Sequence, residues 1–194
     1  MGLSNNAYQR LTPEQLDKVG NAMVFLSKEM PRLPKTKLLK LLYVLDEFSV
    51  ERSGIPFFNL HYKLWHLGPV SVPVFIELSD RLFNFEKYIR VETENDNKKY
   101  VYPKSEFCDD EFSDNDIDLL HLVVSEFRNK TGTDLINYTH RPHSIWYNAA
   151  KEHNIYDELE SGVQTHTDIV LNLGDIVKYD ERKSSIYQQY IEEI

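Results

Sequence analysis

Pro34-Lys35-Thr36-Lys37-Leu38-Leu39-Lys40-Leu41-Leu42-Tyr43-Val44-Leu45-Asp46-Glu47-Phe48 is the stretch that decides how this chain folds. Leu38, Leu41, Leu42, Leu45 and Phe48 recur at three- and four-residue steps and form one apolar stripe. Leu39, Tyr43, Val44 and Val50 widen that stripe well beyond the face a surface helix carries. A helix apolar nearly all round belongs at the centre of a domain. Pro34 opens it and Gly54 closes it, so a central helix is expected from Lys35 to about Arg52.

Upstream, Thr12-Pro13-Glu14-Gln15 reads as a capping box with proline at the first helical position. Leu16, Val19, Met23, Leu26 and Met30 then give one apolar face, and Pro31 stops the helix. Downstream, Ile55-Pro56-Phe57-Phe58 leaves the central helix as an extended segment. Lys63-Leu64-Trp65-His66-Leu67 follows, and Gly68-Pro69 is expected to make a turn. A third helix is predicted from about Val70 to Phe85, with Pro73 tolerated in its first turn. Tyr88–Glu92 and Lys98–Tyr102 flank the polar turn Thr93-Glu94-Asn95-Asp96-Asn97, a hairpin that needs helices or a further strand to be stable.

The acidic stretch from Glu106 to Asp118 invites a metal reading. Capping is the stronger one: Ser113 is a good N-cap, and Asp114, Asp116 and Asp118 suit the positive end of a helix dipole. That helix runs through Phe127, with Gly132 past its end. Thr133 is expected to cap a short helix ending near His140, and Ser144 another that carries Trp146. Ile169, Leu171 and Leu173 alternate like a strand, yet Ile169, Leu173 and Ile176 also suit a helix. Tyr187, Tyr190, Ile191 and Ile194 share a helical face. The fold class expected is mainly α with a small antiparallel sheet, as a single domain. The N-terminal helix 12–30 packs on a core of about 35–153, and 154–194 is an extension.

The 194 residues are 41% hydrophobic and 12% aromatic, enough apolar material for a core and unlike a disordered chain. The lone Cys108 excludes an internal disulfide, and its acidic neighbours disfavour a reactive thiolate. No apolar run is long enough for a membrane helix, and Met1-Gly2-Leu3-Ser4-Asn5-Asn6 lacks the order of a secretory signal. A cytoplasmic protein is expected. A net charge of −9 opposes broad nucleic-acid binding. The charge is uneven: 9 basic and 8 acidic groups in residues 1–80 give +1, whereas 13 and 23 in 81–194 give −10.

Few residues carry a catalytic signal. His61 and His66, or His140 and His143, lack the spacing of a metalloprotease helix, and there is no nucleophile elbow, Walker A loop or dinucleotide fingerprint. No metal, cofactor or catalytic residue is assigned. His66 and His140 are read as hydrogen-bonded at the edge of the core; the alternative is an enzyme in which they line one pocket. The basic run Lys28, Arg32, Lys35, Lys37 and Lys40 is read either as a solvated face or as a docking point for an acidic partner or phosphate.

Taken in order, these landmarks resemble the Panacea domain of SocA-like antitoxins and phage-associated proteins. Lys37-Leu38-Leu39-Lys40-Leu41-Leu42-Tyr43 resembles the opening helix of that family, and Gly54-Ile55-Pro56-Phe57 its exit. Lys63-Leu64-Trp65-His66-Leu67-Gly68-Pro69-Val70 is similar to its W-x-x-GPV signature. Tyr138-Thr139-His140 with Trp146 resembles its L-T-H…P-W segment, although Tyr138 replaces an aliphatic residue and Ile145 replaces the proline. The resemblance implies a helical domain with a small sheet and a protein-binding role. Such a protein neutralises a cognate toxin, encoded by an adjacent gene, by direct contact, or delivers a partner to a protease. Trp65, Gly68, Pro69, His140 and Trp146 are then structural, and Arg32, Lys35, Lys37 and Lys40 are the candidate partner-binding residues. The rival to this reading besides the enzyme is a nucleic-acid-binding regulator using the Lys28–Lys40 patch.

Overall fold

The computed structural model describes residues 10–193. The expectations for residues 1–6 and for Ile194 lie outside them. Helix α1 (Pro13–Glu29) begins at the predicted box: Gln15 N donates to Thr12 Oγ1 at 3.2 Å and Thr12 N to Gln15 Oε1 at 3.0 Å. The Gln15 amide also donates to Phe58 O at 3.0 Å, pinning the exit from the next helix.

Helix α2 (Lys35–Ser53) is central. Leu38, Leu41, Tyr43, Val44 and Leu45 are fully buried although they point in different directions around its axis. Gly54 ends it in the left-handed conformation, φ 81°, with its N–H donated to Val50 O. Helices α3 (Val72–Ser79), α4 (Asp114–Phe127), α5 (Gly132–Thr139) and α8 (Glu181–Glu193) all pack against α2. Between α2 and the first hairpin the backbone is organised by one buried carboxylate. Asp46 accepts from Phe58 N at 2.6 Å, Asn59 N at 3.1 Å, Leu60 N at 3.4 Å and Tyr62 Oη at 2.7 Å.

Strands β2 (Lys63–Trp65) and β3 (Gly68–Val70) pair antiparallel, with Leu64 opposite Pro69 and Trp65 opposite Gly68. The turn is therefore His66-Leu67, and Gly68-Pro69 begins the second strand instead of making the turn. Helix α3 is shorter than the predicted Val70–Phe85. The Glu77 carboxylate accepts the backbone N–H groups of Phe83, Asn84 and Phe85, which folds the chain back after Ser79. Phe85 still reaches the core, but from a loop.

Strands β4 (Ile89–Thr93) and β5 (Lys99–Pro103) form the predicted hairpin, and β1 (Leu33–Pro34) supplies its third strand in the order β1-β5-β4. Ser113 caps α4 through a box with Asp116, in agreement with the capping reading of the acidic stretch. Two expectations shift at α5. Thr131, not Thr133, is its N-cap, paired in a box with Asp134, so Gly132 opens this helix rather than lying past the previous one. Ser144 caps α6 (Ile145–Glu152), and α7 (Tyr156–Glu160) follows.

Neither reading of the later segment holds over its whole length: the extended part makes one bridge, Val170 to Lys63, and the helical part starts only at Leu173. Residues 165–171 run extended beside β2, with Leu64 N donating to Ile169 O and Leu171 N to Tyr62 O. Leu173–Ile176 is a short 3-10 helix. Tyr187 of α8 is buried against it at Gly174. Among the described residues no helix is long and apolar enough to cross a membrane.

Candidate functional site

Lys40, the β2–β3 hairpin, the end of α5 and the start of α6 meet in one place. Lys40 is 2% exposed and donates Nζ–H to Pro69 O at 3.0 Å. Burial pushes its ammonium down to about 7. Gly68 is required beside it on two counts. Its φ is +98°, and a Cβ there would lie 2.5 Å from Thr139 Oγ1 and 3.1 Å from Lys40 Nζ. Trp146 is fully buried and donates Nε1–H to Trp65 O at 2.8 Å, tying α6 to the hairpin.

His140 closes the cluster. Its ring stacks on Trp146, and its Nδ1 lies 2.7 Å from Glu160 Oε1. Burial lowers its pKa, and the Glu160 carboxylate opposes that shift. His140 Nε2 is buried and has no hydrogen-bond partner among the described residues. His66 contacts Leu159 O through Nδ1. Both histidines are thus hydrogen-bonded at the edge of the core, as the first of the two sequence readings expects.

The hairpin also forms one wall of a cleft of about 320 Å³. Trp65 and Phe75 meet edge to face with centroids 5.1 Å apart, and His166 packs on Trp65 at 4.2 Å. Lys35 Nζ sits 4.7 Å over the Phe75 ring and donates to Ser79 Oγ at 3.0 Å. Lys40 and His66 also line the cleft; His140 is not among its lining residues. Of the two histidines on which the enzyme alternative rests, this cleft therefore takes only His66 into its lining. Among the described residues no three His, Cys, Asp or Glu side chains gather as metal ligands.

The basic run does not make one solvated face. Lys28 is paired with Glu106, and Arg32 with Glu94 while lying 4.5 Å over the Tyr100 ring. Lys37 is 6% exposed and donates to Arg128 O at 2.9 Å, and Lys40 is buried as described. The cause is the all-round burial of α2: lysines at 37 and 40 have their stems in the core and their heads against carbonyl oxygens. Lys35 and Lys40 line the cleft, whereas Arg32 and Lys37 do not. The hairpin signature is legible from residue types, but His166 lies just before the segment whose periodicity is ambiguous, and nothing in the sequence signals its packing on Trp65.

No curated protein and no solved structure matches the chain. The family model described as "Antitoxin SocA-like, Panacea domain" matches residues 38–147. That span holds Lys40, the whole hairpin, the α5 terminus and Trp146, so the matched region and the packed cluster coincide. The chain belongs to the SocA-like antitoxin family with a Panacea domain.

Proposed function

We propose that this protein neutralises a cognate toxin by binding it directly, as a cytoplasmic partner of a protein encoded by an adjacent gene. The observation that carries the reading is how the matched region spends its distinctive residues. Gly68, Pro69, Thr139 and Trp146 go into building and bracing the hairpin, and the hairpin in turn holds an aromatic cleft open to solvent. Rigid presentation of such a surface is what specific protein binding needs. Delivery of the toxin to a protease is the alternative use of the same contact.

Expression of the adjacent gene alone and together with this one is the test. Growth arrest by the first, rescue by the pair and a complex that survives gel filtration are expected. Unchanged toxin half-life during rescue favours direct inhibition; a half-life shortened only in protease-competent cells favours delivery. If no neighbouring product is toxic and none co-purifies, the antitoxin reading fails.

A further inference from the structure

The cleft at the hairpin differs in charge from the chain that carries it. The protein has a net charge of −9, yet among the described residues the cleft is lined by Lys35, Lys40, His66 and His166 and by no carboxylate. Its floor and walls are apolar: Leu39 and Val70 are buried beneath it, and Trp65 and Phe75 stand at its side. Leu67 at the hairpin tip is 46% exposed.

The Lys40 ammonium has three N–H donors, and among the described residues the structure gives it one acceptor, Pro69 O. A buried ammonium with spare donors is costly unless an acceptor reaches it. Lys35, held over Phe75, adds a second cation to the lining of the cleft. An occupant that satisfies both features has a carboxylate next to an apolar or aromatic side chain. The carboxylate meets the cationic lining, and the side chain covers the Trp65–Phe75 wall.

We propose that this cleft is the seat of an acidic, apolar-anchored segment of the partner toxin, a proposal that rests on the antitoxin reading above. The partner is thereby specified by chemistry: an aromatic or large aliphatic side chain flanked by aspartate or glutamate. The depressed pKa of Lys40 fits this use, because an incoming carboxylate favours the charged ammonium and binding takes up a proton. Small exposed anchors flanked by steering charges are the usual economy of such contacts.

Two variants and one probe test it. Leu67→Glu combined with His166→Glu places two negative charges at exposed positions on the cleft, and Lys40→Met removes the buried ammonium. Both variants are expected to keep a cooperative melt yet lose rescue of the adjacent toxin and co-purification with it. In parallel, an acetylated and amidated Glu-Phe-Glu tripeptide is titrated against the wild type. The chain has two tryptophans, and Trp146 is fully buried, so a change in emission reports on Trp65. A saturable change is expected, about tenfold weaker with Lys-Phe-Lys and absent in the double variant.

Wild-type rescue by the double variant removes the cleft from the interface and overturns the proposal. So does an equal response to the two peptides, or an identical response to inorganic phosphate, which would mark a simple anion site. If the wild type neutralises nothing, the antitoxin reading has failed and the proposal that rests on it falls too. A charge-selective peptide response would then show that the cleft binds such segments but has a different owner of them.

Discussion

The ring of His140 lies flat on the indole of Trp146, with centroids 3.6 Å apart and planes 5° apart, while the same indole donates to Trp65 O. One side chain thereby joins the end of α5, the start of α6 and the β2–β3 hairpin. Trp146→Phe keeps a ring beneath His140 but removes the N–H and leaves a void. A loss of about 1–3 kcal/mol in urea denaturation is expected, from the cavity and the lost hydrogen bond to Trp65 O together. A loss within error of zero would mean that the hairpin is held by other contacts.

Gly68→Ala meets two obstacles at once. A φ of +98° is strained for any L side chain, and the new methyl would press on Thr139 Oγ1. Thr139 is fully buried and has no free direction in which to retreat. The expected cost is about 2 kcal/mol or more, read as a fall in melting temperature. Adding Thr139→Ala should recover only part of it, because the backbone strain remains. Full recovery would place the whole cost in the steric contact.

The two central features of the fold were readable because each is written locally. The all-round apolar pattern of α2, the box at Thr12 and the N-cap at Ser113 are short-range signals, and the structure uses them as read. The errors arose where a distant or competing group decides. Glu77 ends α3 by capturing three backbone N–H groups that no periodicity marks. The Thr131 box outcompetes Thr133 by having Asp134 three residues on. Lysines 37 and 40 looked solvated by residue type, although the all-round burial inferred for their own helix already placed them inside. Glu47 shows the remaining limit: its buried carboxylate is answered by Arg141 at 3.1 Å, a partner 94 residues away that only the tertiary fold selects.

Asp46 is the second site where one side chain sets a loop. Both of its oxygens accept: Oδ1 from Phe58 N and Asn59 N, Oδ2 from Leu60 N and Tyr62 Oη. Asn at this position offers one acceptor and turns an NH2 toward donors. Asp46→Asn is expected to cost about 2–4 kcal/mol at neutral pH. Burial also raises the Asp46 pKa to about 6, above its value of about 3.9 in the unfolded chain. The native state therefore binds the proton more tightly, and this group's contribution falls as pH rises from about 4 to 6. Urea titrations across that window should show the variant lacking this slope. An Asn variant of wild-type stability would mean that the loop is held without the carboxylate.

Lys40 gives the opposite slope in a separate window. Its folded pKa of about 7 lies below the unfolded value of about 10.4, so between these values the unfolded chain binds more protons. Stability therefore rises with pH above about 7, and the full cost of the buried ammonium is borne below it. Lys35, His66 and His166 line the same cleft, His140 stands at the end of α5, and Glu160 of α7 binds His140. Neither Lys35 nor any of these histidines supplies a negative charge that would offset the ammonium. Lys40→Met keeps the length of the stem and removes the charge at the expense of one hydrogen bond to Pro69 O, worth about 1 kcal/mol. The net expectation is a gain of a few kcal/mol at pH 7 and a flat profile between pH 7 and 9, measured by urea denaturation at successive pH values. A variant that is less stable throughout, with the wild-type slope intact, would show that the ammonium is satisfied in the free protein. A more stable variant that no longer holds its partner would separate the cost of Lys40 to the fold from its use at the cleft.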